Sequence, residues 1–309
     1  TSHELAIGML RPRPIWRLIG RILSTQDSGL DTNLAGIQLP NPIGLAAGFD
    51  KDCRVLGSLL DLGFGFAVGG TVTLEPRTGN PVPRLLRNPA SKTLVNSMGF
   101  PGKGVEFAVD QLKHLSNQDR KRIFISVSGQ TEEQIGQCYR QLEPLAAGIE
   151  INISSPNTVG LTIFHQPERL WSLVNSLPRE HEKPCFIKMP RLLDHSAVGE
   201  LASAAVDAGA DGVIMANTSP IRDSRLAVGH GGLSGATLID STLESLVKVR
   251  DVLPVHIPVI ACGGIASAAT AKLAMDAGAT AVQIYTALVY DGPGLPGNMV
   301  GELISKYSL

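Results

Sequence analysis

From Pro40 onward the chain alternates between short apolar runs rich in β-branched residues and longer stretches whose apolar residues recur every three or four positions. Eight runs read as strands: "PIGLAAG", "FAVGGTV", "IFISVSG", "GIEINIS", "CFIKMP", "GVIMANT", "PVIACGG" and "AVQIYTA". Between most of them lie helix-period segments such as "VGELASAAVDAGA" and "SAATAKLAMDAGA", each closing on a glycine suited to a helix C-cap. Strand followed by helix, eight times over, predicts an α/β fold, a parallel (β/α)8 TIM barrel. Polar residues gather at the C-terminal ends of the runs, where such barrels build their active sites.

The stretch "EINISSPNTVGL", Glu150 to Leu161, is the clearest case. It reads as the fourth strand running out into a catalytic loop, with Asn152 on the last residues of the strand and Ser155 just beyond. An isolated "SSPN" reads better as a polar turn built on Pro156 and Asn157. Two segments depart from a plain barrel. Residues 74–104, "LEPRTGNPVPRLLRNPASKTLVNSMGFPGKG", are too rich in Pro, Gly and Arg for a helix and are expected to cover the barrel mouth. The leader, residues 1–40, carries "HELAIGML" and "PIWRLIGRIL", with Arg11, Arg13, Arg17 and Arg21 interspersed among apolar residues at helical spacing. A basic amphipathic leader can lie in a membrane interface. Apolar residues at that spacing are more often core, which favours a short N-terminal helical extension packed on the barrel.

Composition narrows the function classes. A chain of 309 residues can hold two small domains, but it also suits one barrel, which needs about 250 residues. With 43% hydrophobic and 18% charged residues, it can bury a sizeable core. The 27 basic and 28 acidic side chains leave a net charge of -1, so bulk electrostatics give no argument for nucleic acid, and a charged partner must be met locally. Cys53, Cys138, Cys185 and Cys262 are scattered without a CxxC pair, which suggests neither a zinc site nor a disulfide framework and fits a reducing compartment. No apolar run reaches the roughly 18 residues of a spanning helix, and no long apolar region of a signal peptide is present.

The candidate chemistry lies in glycines, lysines and asparagines. The glycines of "GGLSG" and "ACGGI" allow backbone N–H groups to approach a phosphate near the last two strands, which makes Ser234, Gly263 and Gly264 candidate phosphate ligands. Lys51 in "AAGFDKD" and Lys188 in "FIKMP" sit at strand ends, where a cation stabilises a phosphate, a carboxylate or a reduced flavin ring. Lys51 also reads as a loop residue in solvent; Lys188 does so poorly, because its flanks look buried. Asn96, Asn152, Asn157 and Asn217 would face the same mouth, and amides are suited to a planar ring bearing alternating C=O and N–H groups. HExxH, Walker, GxSxG and GxGxxG patterns and a metal-spaced histidine cluster are all missing, so no metal is assigned and a nicotinamide dinucleotide is disfavoured.

Taken together, "NPIGLAAGFDKD", "VNSMGF", "EINISSPNT", "GVIMANT", "GGLSG", "IACGGI" and "QIYTALVYDGPG" resemble the dihydroorotate dehydrogenase family, from about residue 41 to 309 and into the leader. The resemblance implies an FMN-containing barrel that oxidises dihydroorotate to orotate in pyrimidine synthesis. The family's catalytic base precedes the loop proline, a cysteine in soluble class 1 enzymes and a serine in quinone-dependent class 2 enzymes; here it is Ser155. The leader agrees with class 2, and "SHELA" resembles the end of that class's "PExAHxLA" signature.

Carried over by motif, the resemblance puts Lys51, Asn96, Asn152, Asn157, Asn217 and Thr218 around the substrate ring and its carboxylate. It puts Ala46, Ala47, Gly48, Thr71, Lys188, Ser234, Gly235, Gly263, Gly264, Tyr285 and Thr286 around FMN, with Lys51 and Thr218 touching it as well. His3, Arg87 and Tyr285 match the quinone site. Ser155 would take the proton from C5, and the flavin the hydride from C6. Two positions depart from class 2: Ser126 stands where an asparagine is usual, and Thr162 where an arginine is usual.

The expectation is therefore residues 1–33 as a helical extension serving membrane and quinone, and residues 34–309 as the FMN-binding barrel. The protein is expected to be a monomer without nucleic acid, peripheral on the cytoplasmic face of a bacterial cell membrane, or cytoplasmic if the leader binds no lipid. Two alternatives stand beside it, a class 1-like enzyme using fumarate or another soluble acceptor and a flavin-free phosphate-binding barrel.

Overall fold

The computed structural model describes residues 2–307 apart from 26, 155–159, 180–182, 192–194 and 216. All eight apolar runs are strands: Ile43–Leu45, Phe66–Val72, Ile123–Val127, Gly148–Asn152, Cys185–Lys188, Gly212–Met215, Val259–Cys262 and Ala281–Ile284. They pair in parallel, in chain order, and the eighth closes on the first. Helices cover the outside, so the strands are buried on both faces and read as unbroken apolar runs. The two quoted helical segments, His195–Asp207 and Ala268–Asp276, end as read. Gly209 and Gly278 sit at positive φ just beyond them, and Ala210 and Ala279 close back on Ala205 and Ala274 at 3.0 Å.

The barrel interior is filled from below by a large-and-small interlock. Phe66, Phe124 and Phe186 point inward from the second, third and fifth strands, and each lies in register with a glycine on an adjacent strand: Gly44, Gly148 and Gly212. A methyl group on Gly212 would lie 2.6 Å from the Phe186 ring and 2.6 Å from the Pro258 carbonyl oxygen, so only glycine leaves room for the ring. The rings meet edge to face, Phe66 with Phe124 at 5.6 Å and Phe124 with Phe186 at 5.9 Å. Below them the hairpin Thr32–Leu34 and Ile37–Leu39 inserts Leu34 and Leu39 into the same cluster. The N-terminal end of the cylinder is therefore plugged, and a cavity can open only at the other end.

The insertion after the second strand is not helical, as its composition requires, but it is more ordered than a Pro- and Gly-rich segment suggests. Leu85–Asn88 and Thr93–Asn96 pair with each other and then with His230–Gly235 and Ser219–Arg222, which follow the sixth barrel strand. The result is a four-stranded antiparallel sheet standing on the mouth, with Gly232 opposite Asn96 and Ser234 opposite Leu94.

Both leader segments are helices, Ser2–Leu10 and Arg13–Leu23. Arg13 ties the second to the barrel: Nε donates to Asp61 at 2.8 Å, and the two terminal nitrogens donate to Asp119 at 2.6 and 2.8 Å. Hydrogen bonds to the two carboxylates hold its guanidinium firmly charged, against the opposing effect of burial. Arg54 grips Glu4 on the first helix through both carboxylate oxygens, at 2.9 and 2.8 Å. The leader is thus packed on the barrel, yet Leu5, Met9, Ile15, Leu18 and Ile22 face outward, Ile22 at 82% exposure. Among the described residues no helix is long and apolar enough to cross a membrane.

The interlock gives a direct test. Gly212→Ala should lower unfolding free energy by about 1–3 kcal/mol, since neither the ring nor the Pro258 backbone has space to move. Gly8→Ala, on a leader helix with nothing within 4 Å of the added carbon, should leave stability unchanged or raise it. Equal effects of the two substitutions in denaturant melts would remove the interlock as the reason for the glycines.

Candidate active site

Side chains on a strand alternate, so moving up each barrel strand by two residues keeps to the inward face. The fourth strand points Gly148, Glu150 and Asn152 inward in succession, and the fifth points Phe186 and Lys188. Above the phenylalanine layer the interior turns from apolar to polar within one step. There a cavity of about 830 Å³ opens between the strand ends, the lid sheet and the first leader helix. That volume lies at the upper end for a small-molecule site.

Its floor is formed by Lys188, Gln283, Cys262, Thr71 and Asn152. Asn152 donates to Thr71 Oγ1 at 3.0 Å, and Thr71 shares a hydrogen bond with Ser126 Oγ at 3.0 Å. Asn152 Oδ1 accepts from Ser154 N and Oγ at 3.1 and 2.6 Å, and Asn217 Nδ2 donates to Ser154 Oγ at 2.7 Å. Asn217 Oδ1 in turn accepts from Thr218 N at 2.7 Å. One polar relay across four strand ends therefore fixes the orientations of two amides, Asn152 and Asn217. Behind it Arg191 donates to the Asn217 backbone carbonyl at 3.0 Å and to Ser241 and Thr242 at 2.7 and 2.8 Å, a fork that holds the sixth strand's exit in place.

The rear wall is mostly backbone. Ser234, Gly235, Gly263, Gly264 and Thr286 line it, with Thr286 Oγ1 donating to Ser234 Oγ at 2.9 Å. Gly264 has φ +82°, and a Cβ there would strike the backbone of Ile239, where helix Ile239–Val252 begins. A Cβ on Gly235 would lie 2.6 Å from the Lys92 carbonyl. Bare backbone and two hydroxyls beside the start of a helix form an anion cradle.

On the leader side, Lys51 lies in the loop after the first strand and donates to the Gly48 carbonyl at 2.6 Å. Desolvation brings its pKa down to about 8, against the opposing charges of Asp50 and Asp52. His3 stacks edge to face on Phe49 at 5.6 Å, and Phe49 on Tyr285 at 6.0 Å. Burial, then the charge of Lys51, lowers the His3 pKa to about 4, so its ring is neutral at pH 7. Burial pushes Tyr285 up to about 12. Seven lysines and arginines line the cavity against three carboxylates, although the chain as a whole is nearly neutral. The site is built to receive anions.

Of the residues singled out from sequence, the cavity brings together Lys51, Asn96, Asn152, Asn217 and Thr218, then Ala46, Ala47, Gly48, Thr71 and Lys188, then Ser234, Gly235, Gly263, Gly264, Tyr285 and Thr286, with His3 at the leader edge. Arg87 is the exception: it is exposed on the lid sheet and is not among the lining residues, though its charge is felt at Tyr285. Ser155 and Asn157 lie outside the described residues. Sequence reading missed Ser154, Arg191, Gln283 and Glu150. Glu150 and Gln283 had a signal, a single polar residue on an inward position of an apolar strand; Arg191 had none. Among the described residues no group of three or more His, Cys, Asp or Glu side chains could hold a metal ion.

A closed parallel barrel whose strand ends carry an anion cradle on one side and a fan of amides with a lysine on the other defines an α/β-barrel enzyme acting on a planar, anionic small molecule. The family model described as dihydroorotate dehydrogenase matches residues 29–306, and the chain belongs to that family. It is 34% identical over 319 residues to a dihydroorotate dehydrogenase (quinone) of Rhizobium leguminosarum bv. trifolii, covering 98% of this chain and 87% of that one. It is 37% identical over 317 residues to the protein of the same name from Sphingopyxis alaskensis, with the same coverage. Among solved structures, the Eimeria tenella enzyme in complex with ferulenol superposes with a TM-score of 0.84 at 26% identity, over 99% of this chain and 92% of that one.

Proposed function

We propose that the protein oxidises dihydroorotate to orotate in de novo pyrimidine biosynthesis, with FMN as cofactor and a quinone as electron acceptor. One observation carries the reading: Asn96, Asn152, Asn217 and Lys51 share a single cavity with Lys188 and a glycine-lined anion cradle. A ring with alternating donors and acceptors, a carboxylate and a phosphate each find a matching wall.

The residues present fit FMN. The cradle of Ser234, Gly235, Gly263, Gly264 and Thr286 suits its phosphate, because a side chain on Gly264 or Gly235 would collide with backbone. Ala46, Ala47, Gly48, Thr71 and Tyr285 offer small or flat surfaces to its ring system, and Lys188 sits on the floor as a cation. When bound, FMN supplies a two-electron acceptor for the hydride leaving C6 of the substrate.

The chain's own residues do the rest. Lys51 pairs with the substrate carboxylate, and the amides of Asn96, Asn152, Asn157 and Asn217 read the ring, with Thr218 beside them. Ser155 follows directly on Ser154, which the relay anchors, and is the proposed base for the C5 proton. A hydroxyl is a poor base in water, so the closed and preorganised surroundings must lower the barrier. The balance is one proton and one hydride lost by dihydroorotate, and two electrons and two protons gained by the quinone to give the quinol.

The acceptor reading is supported by the leader. His3, Phe49 and Tyr285 form an uncharged aromatic ladder from the cavity toward the first leader helix, with Arg87 nearby on the lid. The outward apolar side chains of both helices, interspersed with Arg11, Arg17 and Arg21, suit a bilayer interface where a quinone dissolves. Residues 1–33 are accordingly proposed as the docking and quinone unit and 34–309 as the catalytic barrel. The proposed location is peripheral, on the cytoplasmic face of a bacterial membrane, as a monomer.

Four measurements test these assignments. Ser155→Ala should still bind FMN and colour the protein yellow, while anaerobic bleaching by dihydroorotate slows about 10²–10⁴-fold; unchanged bleaching removes Ser155 as the base. In the same apparatus the reduced wild-type enzyme should be reoxidised by a short-chain quinone analogue and not by fumarate, and the opposite preference points to a soluble acceptor. Lys51 is charged below about pH 8 and neutral above it. Orotate affinity should therefore be full below that pH and fall above it, and Lys51→Met should bind weakly with no such dependence. Finally, Leu18→Glu with Ile22→Glu should abolish co-sedimentation with phosphatidylglycerol vesicles while turnover with a water-soluble quinone analogue persists. Retained sedimentation would place lipid contact elsewhere.

A further inference from the structure

Beneath the cavity floor lies an ionisable group that neither the substrate nor the phosphate wall uses. Glu150 is 1% exposed, projects inward from the fourth strand, and is not among the residues lining the cavity. Its Oε1 lies 3.5 Å from Lys188 Nζ, and its Oε2 accepts from Gln283 Nε2 at 3.3 Å. Gln283 Oε1 stands 3.5 Å from the same ammonium. The three side chains form a closed triangle from three strands, with Lys188 and Gln283 reaching the cavity and Glu150 below.

The geometry has two consequences. Both contacts to Nζ are long for hydrogen bonds, so they orient the ammonium without consuming it, and a group with three donors keeps one for a ligand above. An isolated buried ammonium would also shed its proton, and a carboxylate at 3.5 Å opposes that. Burial is the largest single effect and lowers the Lys188 pKa, yet its charge and hydrogen-bond contacts, those to Glu150 foremost, together outweigh it and the net shift is upward. The other titratable group facing Lys188 is the Cys262 thiol, which burial pushes up and so leaves neutral.

We propose that Glu150 is a positioning residue that keeps Lys188 protonated on the cavity floor and, with Gln283, aims it at the bound flavin, so that the lysine presents a fixed charge before and after electron transfer. The second half rests on the flavin reading; the first does not. A fixed, half-compensated charge stabilises the negative charge that arrives with two electrons, and it needs no second proton to do so.

The first measurement is free of the cofactor. In flavin-stripped protein carrying ¹³Cε-lysine, the Lys188 signal, assigned with Lys188→Met, should show no deprotonation up to about pH 10, the ordinary lysine range. In Glu150→Gln its proton affinity should fall about ten- to a thousandfold. Identical titration in the two proteins overturns the proposal whatever cofactor is bound. If Glu150→Gln yields no soluble protein, Glu150→Met, which needs no hydrogen-bond partner, carries the same measurement.

The second uses the loaded enzyme and counts protons taken up per two-electron reduction near pH 7. Wild type should take up one, on the flavin. Glu150→Gln should take up between one and two, the extra proton going to Lys188 as negative charge appears above it, and the reduction potential should become correspondingly steeper in pH. In a Lys188→Met background the substitution at 150 should change neither quantity. An equal change in that background shows that Glu150 acts without Lys188 and overturns the assignment. Wild-type protein that takes up no FMN would instead sink the flavin reading, and the lysine titration would still decide the ion pair.

Discussion

The two-residue period of eight strands closed into a cylinder is the constraint on which the site depends. Because inward positions recur at every second residue, the same strand that supplies Gly148 to the packed floor supplies Glu150 to the next layer and Asn152 to the mouth. A slip of one residue would turn all three outward together. Register here is matched by the phenylalanine and glycine pairs, in which each ring occupies the space that a side chain on the opposite glycine would need. The apolar layer therefore does more than stabilise: it sets the height at which each polar side chain emerges.

Above that layer the molecule concentrates charge. A net charge of -1 gives the whole surface no preference, yet the cavity gathers lysines and arginines from the first barrel loop, the lid insertion and the fifth strand. The arrangement needs elements far apart in sequence. The lid sheet joins strands from the second and sixth barrel connections, and the leader is pinned by Arg13 to Asp61 and Asp119 and by Arg54 to Glu4. The cavity is thus closed on three sides by segments that a minimal barrel lacks.

How much of this was legible in sequence follows the range of the interactions. All eight barrel strands were, since each is a local apolar run, and most site residues followed from standing at the ends of those runs. The lid strands Leu85–Asn88 and Thr93–Asn96 were not, because three prolines and a glycine precede them and the strand that joins their hairpin to the sheet, His230–Gly235, lies more than a hundred residues away. The hairpin Thr32–Leu39 was missed for a similar reason: its strands of three residues are too short to show a period. Arg191 was invisible because its work is to hold another residue's backbone. Arg87, matched by motif, stands exposed on the lid sheet and does not line the cavity.

Two of the lysines that line the cavity, Lys51 and Lys188, are displaced in opposite directions, and the difference is instructive. Lys51 meets Asp50 and Asp52 only across the loop that carries it, while its ammonium touches a single carbonyl; desolvation prevails and its charge becomes conditional. Lys188 is more deeply buried, yet a carboxylate on the next strand reverses the balance and its charge is fixed. A site that must release a charged product gains from a cation at its rim whose strength depends on what is bound. Beside a cofactor that stays in place while electrons come and go, the useful cation is one that does not respond. The strand register puts a counter-ion beneath Lys188, whereas Lys51 stands on a loop, so the division of labour between them is already present in the backbone.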